Sequence, residues 1–472
     1  MKVLLLNPPT QDNKKFIREG RCTQEQGVWA TLWPPVSLAT VGAVLEHNGF
    51  QARIIDCPAS EVTWEELGDV IKEFSPQLVL WSTGTPSIDN DLSLAAFIKQ
   101  HSPATVTAVF GTHVTVLDRQ CMANYPALDC ILRHEPELTA LELAQAIQDK
   151  ISFDAIAGLT FRRDDGEIVS NPTRHFIEDL DSMPLPAWHL IDTSRYRLPF
   201  SNEPFLIIAP LRGCPFNCTF CTCQTYYGKK LRKRSVENVI KEIQYDMAKF
   251  GLKNFFVWAE TFVVDKHYVE QLCRAIIAQR LAISWTCNSR VDTVDAALLK
   301  LMKQAGCWMI SFGIESAEQT ILDEVHKGTT VEQARDAVRW AHDAGIKAVG
   351  HIIFGLPGET AASIKKTMRY AKKLGLDLAQ FYCAVPFPGS ALYERACKEG
   401  WIHDSDFSHF KQDNAVMELP TIAAKDVNQY RTQAYRNFYF DPRNMINVAK
   451  LIGWKNAGRT MRSVMDFLVW TK

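Results

Sequence analysis

From Lys2 to Gln148, and again from Phe205 to Val385, the chain repeats one alternation: a short apolar run, a turn, then a segment with the period of an amphipathic helix. Few folds satisfy it, because parallel strands need long crossovers and helices that supply them cover the sheet faces. In the first part, strands are predicted at 2–7, 52–56, 77–82, 105–110 and 130–132, and helices at 36–48, 64–74, 92–101 and 138–148. The expectation is a doubly wound, Rossmann-like sheet that binds ligands on the loops after its strands. Those loops read Asn7-Pro8-Pro9, Ser82-Thr83-Gly84-Thr85, Gly111-Thr112-His113 and His134-Glu135-Pro136-Glu137.

The rhythm then breaks. Asp164-Asp165-Gly166 predicts a hairpin turn between 158–163 and 167–170, and Pro184-Leu185-Pro186-Ala187-Trp188 predicts a connector. It resumes with strands at 205–211, 254–259, 284–289, 308–314, 347–354 and 377–385, and helices at 236–250, 268–279, 296–304, 331–342 and 361–374. Gly251, Gly306, Gly345 and Gly375 stand at or near helix ends. This series predicts a partial TIM-type (β/α)6 barrel, open on one side, with functional residues at strand C-termini. The expected organisation is a ligand-binding domain at 1–150, a connector at 151–204, the barrel at 205–390 and a helical C-terminal region at 391–472.

At the end of the first barrel strand stands Arg212-Gly213-Cys214-Pro215-Phe216-Asn217-Cys218-Thr219-Phe220-Cys221. Three thiolates on one short loop can hold three corners of a [4Fe–4S] cubane and leave the fourth iron open for a ligand. Cys223 is close, but a fourth ligand two residues on would strain the loop. Structural zinc wants four ligands, usually as two separated pairs, and no second pair lies nearby. Cys57, Cys273, Cys307 and Cys383 sit in or beside apolar stretches and read as buried core residues.

The C-x3-C-x2-C loop, with Phe220 before its last Cys, resembles the signature of the radical SAM superfamily. The resemblance implies that the open iron chelates S-adenosylmethionine (SAM) and that an electron from the cluster cleaves it to a 5′-deoxyadenosyl radical. It further implies SAM contacts at Glu260 (amino end), Arg290 (carboxylate) and Glu315 (ribose), with Ile353-Phe354-Gly355-Leu356-Pro357-Gly358-Glu359 beside the adenine. An ordinary salt bridge or cap stands as the alternative for each.

The N-terminal part is similar to the cobalamin-binding domain of the B12-dependent radical SAM class. Asn7-Pro8-Pro9, Trp33-Pro34-Pro35-Val36-Ser37-Leu38, the loop from Ser82 to Thr85, Gly111-Thr112-His113 and Glu135-Pro136-Glu137 carry the likeness, together with the connector. It implies cobalamin contacts at Ser82, Thr83, Gly111, Thr112, His113, Glu135 and Glu137. The Asp-x-His-x-x-Gly motif that supplies an axial His in classical B12 enzymes is missing, so base-off cobalamin without that ligand is expected. Methylthiotransferases share the radical motif but carry a second three-Cys cluster. Here Cys22, Cys57, Cys121 and Cys130 are scattered.

In methylating members of the class, cobalamin takes a methyl from one SAM while a second SAM yields the radical that abstracts hydrogen. The resemblance therefore implies a C-methyltransferase acting on a small-molecule or lipid-like substrate, with an external electron donor such as flavodoxin or ferredoxin. A cyclase or ring-rearrangement enzyme is the alternative; a non-enzymatic cobalamin sensor leaves the three-Cys loop unexplained.

A formal net charge of −1 gives no whole-chain attraction to nucleic acid, and none is expected as partner. The start, MKVLLLNPP, is too short in apolar residues for a signal peptide, and thirteen cysteines fit a reducing compartment, so a cytoplasmic protein is expected. The aromatic and basic residues Tyr435-Arg436-Asn437-Phe438-Tyr439-Phe440 and Trp454-Lys455 read as helices capping the barrel's open side; peripheral membrane docking is the less favoured reading.

Overall fold

The computed structural model describes residues 1–11, 14–19, 24–25, 31–199 and 201–452; Trp454-Lys455 lies outside them. The first sheet contains β1 (Lys2–Asn7), β2 (Gln51–Asp56), β3 (Leu78–Ser82), β4 (Val106–Phe110), β5 (Cys130–Leu132), β6 (Leu159–Arg162) and β7 (Ile168–Ser170) in the order β2-β1-β3-β4-β5-β6-β7. β1 to β5 run parallel and lie under helices on both faces. On β1, Val3 and Leu5 enter one hydrophobic cluster while Leu4 and Leu6 enter the other. The chain reverses direction across the sheet between β1 and β3, which opens the ligand crevice of doubly wound folds there.

The hairpin differs from expectation. β6 pairs antiparallel with β5, so the hairpin extends the first sheet instead of lying in the connector, and β5 is not the sheet's edge. The connector is also packed down. Trp188 and Tyr196 are almost fully buried, the Ala187 amide donates to Ala39, and the Tyr196 hydroxyl donates to Asp56 at 2.7 Å.

The second sheet contains β8 (Phe205–Ile208), β9 (Asn254–Val257), β10 (Ser284–Arg290), β11 (Cys307–Glu315), β12 (Lys347–Phe354) and β13 (Leu378–Cys383), all parallel and in sequential order. That is the six-stranded open barrel expected. Its helices start where a Ser, Asp or Thr side chain takes up an otherwise orphaned amide: Ser235, Asp265, Asp295, Thr330 and Thr360 each cap a helix N-terminus.

The open side is closed by the C-terminal helix Ala424–Tyr439. β13 is the edge strand, and its free backbone groups are met by side chains. The Tyr439 hydroxyl accepts from the Ala379 amide and donates to its carbonyl, the Tyr435 hydroxyl accepts from the Phe381 amide, and Arg431 donates to the Phe381 carbonyl. Such capping is what an exposed edge requires. Among the described residues no helix is long and apolar enough to cross a membrane.

Candidate active site

The cysteine loop is built on a glycine. Leu211–Arg212 pairs antiparallel with Arg232–Lys233, and Gly213 follows at φ +90°, where a Cβ would stand 2.2 Å from the Lys230 carbonyl oxygen. Only glycine turns the chain there without displacing backbone. The Cys214 amide donates to Gly228, the Thr219 amide to Val325, and the Cys221 amide to Cys218, which fixes the loop along its length. Cys214 is buried and Cys218 and Cys221 are half-buried. Cys223 is buried on the next short helix, where a hydrogen bond with Cys214 and then burial push its thiol up. Cys57, Cys273, Cys307 and Cys383 are buried in the core as expected.

Three thiols on one loop suit a cubane's three corners. Among the described residues no group of three or more His, Cys, Asp or Glu side chains is arranged to hold a single metal ion.

Cationic groups face the loop. Burial pushes the Cys218 thiol up, while Lys327 and Arg290 pull it back toward the thiolate that iron needs. Arg290 Nη1 lies 3.8 Å from Cys218 Sγ, and its guanidinium sits 3.6 Å from the Phe216 ring centroid. Its remaining donors are committed: Nε and Nη2 each reach Asp292 at 2.9 Å, and Nη2 also reaches the Lys327 carbonyl. Glu315, at φ +61° in a register shift of β11, pairs with Lys327 Nζ at 2.5 Å. Lys327 Nζ also lies 6.0 Å from the Phe220 ring centroid. Glu260 is buried after β9, close enough to raise the Cys223 thiol. The fold thus brings Phe220, Arg290 and Glu315 together around Cys218 and Lys327, and Glu260 near Cys223. Sequence reasoning missed Lys327 and Asp292, which join the cluster through loops without a recognisable motif. The run from Gly355 to Glu359 forms a turn in which Glu359 Oε2 accepts from the Gly355 and Leu356 amides.

The ligand edge of the first domain is dense. Ser82, Thr83, Thr85, Ser87 and His113 are buried. Thr83 and Ser87 donate to Asp91 at 2.8 and 2.6 Å, and Asp91 also takes Arg18, at 2.6 Å, inside the crevice between β1 and β3. Gly111 packs so tightly on Thr83 that a Cβ would stand 2.3 Å from the Thr83 carbonyl oxygen, and Thr112 opens the short helix that follows. Burial holds His113 neutral, its imidazole lowered to about 3; Nδ1 lies 3.3 Å from Thr85 Oγ1 and the ring meets Phe407 edge-on at 4.6 Å.

Glu135 and Glu137 reach across to the barrel. Glu135 pairs with Arg212 at 3.0 Å and Arg232 at 2.8 Å, and Glu137 pairs with Arg212 at 2.6 Å. These pairs occupy both Glu135 oxygens, and Oε2 also accepts from the Ile177 amide. Glu137 Oε2 is buried without a hydrogen-bond partner among the described residues, which suits an acceptor for a cobalamin amide.

A three-thiol loop at the end of the first strand of an open barrel, tied to the ligand edge of a doubly wound domain, defines a radical SAM enzyme with a second cofactor domain. Residues 208–371 match the Radical SAM superfamily, and residues 27–144 match the B12 binding domain. An uncharacterized methyltransferase of Pyrococcus horikoshii is 32% identical over 448 residues, 94% of each chain. The chain belongs to the family of radical SAM enzymes that carry an N-terminal B12-binding domain, with a [4Fe–4S] cluster, SAM and cobalamin as its cofactors. It is also similar to the anaerobic magnesium-protoporphyrin IX monomethyl ester cyclase of Rubrivivax gelatinosus, 28% identical over 87% of this chain and 74% of the relative. The fold matches the radical SAM methyltransferase TsrM of Kitasatospora setae, with a TM-score of 0.70 at 16% identity over 96% of this chain and 89% of the other.

Proposed function

We propose that the protein is a cytoplasmic C-methyltransferase acting on a small molecule, fed by an external reductant of the flavodoxin or ferredoxin type. The carrying observation is the Arg212–Glu137 pair at 2.6 Å, which joins the cysteine loop to the ligand edge of the first domain. It supports a SAM-cleaving centre and a methyl carrier that act within one structural unit. When bound, the cluster supplies the electron that cleaves SAM, and cobalamin supplies a transferable methyl group.

This chain's residues hold and orient those groups. Cys214, Cys218 and Cys221 would hold the cluster; Glu260, Arg290 and Glu315 would orient SAM, with Phe220 packed beside the Lys327–Glu315 pair. Arg290 can keep its Asp292 bond while Nη1 faces the cluster side. Ser82, Thr83, Gly111, Thr112 and His113 would shape the surface under the corrin, with Glu137 accepting from it. Because His113 Nδ1 lies by Thr85 and its ring packs edge-on against Phe407, base-off cobalamin without a His ligand is the reading this edge supports.

The test is anaerobic reconstitution with iron, sulfide and cobalamin, then incubation with methyl-labelled SAM and cell extract. A product heavier by one labelled methyl, together with 5′-deoxyadenosine, supports the proposal. The similarity to the cyclase favours a second reading, ring closure without methyl gain, and a product without label would select it.

A further inference from the structure

The inner face of the barrel sheet separates into an uncharged polar band and an aromatic wall. In register across four strands lie Arg290, Gly313, His351 and Gln380, with Asn288 and Ser311 one row lower on β10 and β11. Residues side by side on parallel strands point the same way. Arg290 marks this face as the one toward Cys218. The burial pattern agrees: Ile310, Phe312, Ile352 and Phe381 on the opposite face are at most 1% exposed, whereas Asn288, Ser311, His351 and Gln380 are half-buried.

Two of these side chains are unspent. Asn288 and Ser311 make no side-chain hydrogen bond among the described residues, although both lie inside the barrel. His351 and Gln380 are held in place through Tyr382. His351 Nδ1 lies 3.1 Å from the Tyr382 hydroxyl and the rings stack at 15°, while the hydroxyl donates to Gln380 Oε1. Half-buried amide and hydroxyl groups that no other side chain engages keep their donors and acceptors open to a ligand.

The aromatic wall lies toward the first strands. Phe256, in register with Thr286 on the same face, meets Trp258 at 5.6 Å. Trp33, from the first domain, meets both, at 5.1 and 4.9 Å. Among the described residues of the inner face below Arg290, no Asp, Glu or Arg appears on β9 to β13, and Lys347 lies at the exposed far end.

We infer that this face is the substrate subsite and that it takes an uncharged ring compound, its ring against Trp33, Phe256 and Trp258 and its amide, hydroxyl or carbonyl groups on Asn288, Ser311 and His351. The inference rests on the proposed methyltransferase reading and deepens it by naming the substrate class. A carboxylate or phosphate on the substrate would arrive without a free cation to meet it, since Arg290 is held by Asp292 through Nε and Nη2 and its Nη1, on the cluster side, is taken by SAM in the proposed function.

Calorimetric titration of the cluster-loaded full chain with indole-3-acetamide and its charged counterpart indole-3-acetate tests this. The amide is expected to bind at least about tenfold more tightly than the acetate. Asn288→Leu and His351→Phe should each weaken the amide by about tenfold at unchanged iron content, and Phe256→Ala should weaken both probes. Equal binding of the two probes, no binding of either at millimolar concentration, or parent-like amide affinity in both polar variants overturns the assignment. Cys218→Ala is expected to lose SAM cleavage yet keep amide binding, so failure of the proposed activity and failure of this subsite read out separately.

Discussion

Arg212, one residue before the glycine that turns the cysteine loop, lies 2.6 Å from Glu137 at the ligand edge of the other domain, with side chains 12% and 3% exposed. Glu135 adds its contacts to Arg212 and Arg232. The radical loop and the B12-binding domain are therefore one electrostatic unit. Glu135→Ala would leave two arginines without their shared carboxylate, and losing one partner of a buried pair costs about 3–5 kcal/mol. A drop of that size in unfolding free energy by urea titration, with faster proteolysis in the connector, is the expected result; a parent-like midpoint would refute the coupling.

Gly213→Ala should dismantle the cluster site while sparing the barrel. The new Cβ would meet the Lys230 carbonyl oxygen at 2.2 Å, so the Cys214 end of the loop must move. Iron bound per chain after reconstitution should fall well below the parent while far-ultraviolet circular dichroism stays the same.

Glu359 gives a pH signature. Burial pushes its carboxyl up to about 8, against an ordinary value near ~4.3. The folded state thus keeps a proton that the unfolded chain has released. The associated stability is present below the unfolded value and lost as pH rises through about 8. Glu19 and Asp246, also raised to about 8 by burial, act in the same direction. Tm should therefore fall between pH 6 and pH 8.5, and Glu359→Gln, which keeps an acceptor for the Gly355 and Leu356 amides, should remove part of that fall.

Tyr435→Phe combined with Tyr439→Phe removes hydroxyls that serve the β13 backbone at Phe381 and Ala379. Each unmet buried backbone group costs about 1–3 kcal/mol. Amide exchange at Ala379 and Phe381 should accelerate while exchange on β11, deep in the sheet, does not.

The strands, the barrel and the thiol loop were legible because each has a local signal: apolar runs, helix caps and a fixed cysteine spacing. Glu135 and Glu137 were read as cofactor contacts because the Glu135-Pro136-Glu137 segment resembles that of the B12-binding class; their ion partners, Arg212 and Arg232, are distant in sequence, and no pattern predicts that meeting. The hairpin was placed in the connector because a turn signal does not say which sheet the strands join. Lys327 escaped for a similar reason. Its approach to Glu315 depends on a non-glycine residue at positive φ, a conformation enforced by surrounding structure and not by local preference.

Arg431, Tyr435 and Tyr439 stand in for a neighbouring strand along β13. A chain ending ahead of residue 424 would present a bare ladder of amides at the rim of its catalytic half, ready to recruit the same rim of another copy. Removing the helix Ala424–Tyr439 is therefore expected to favour self-association along this rim before it touches any chemistry.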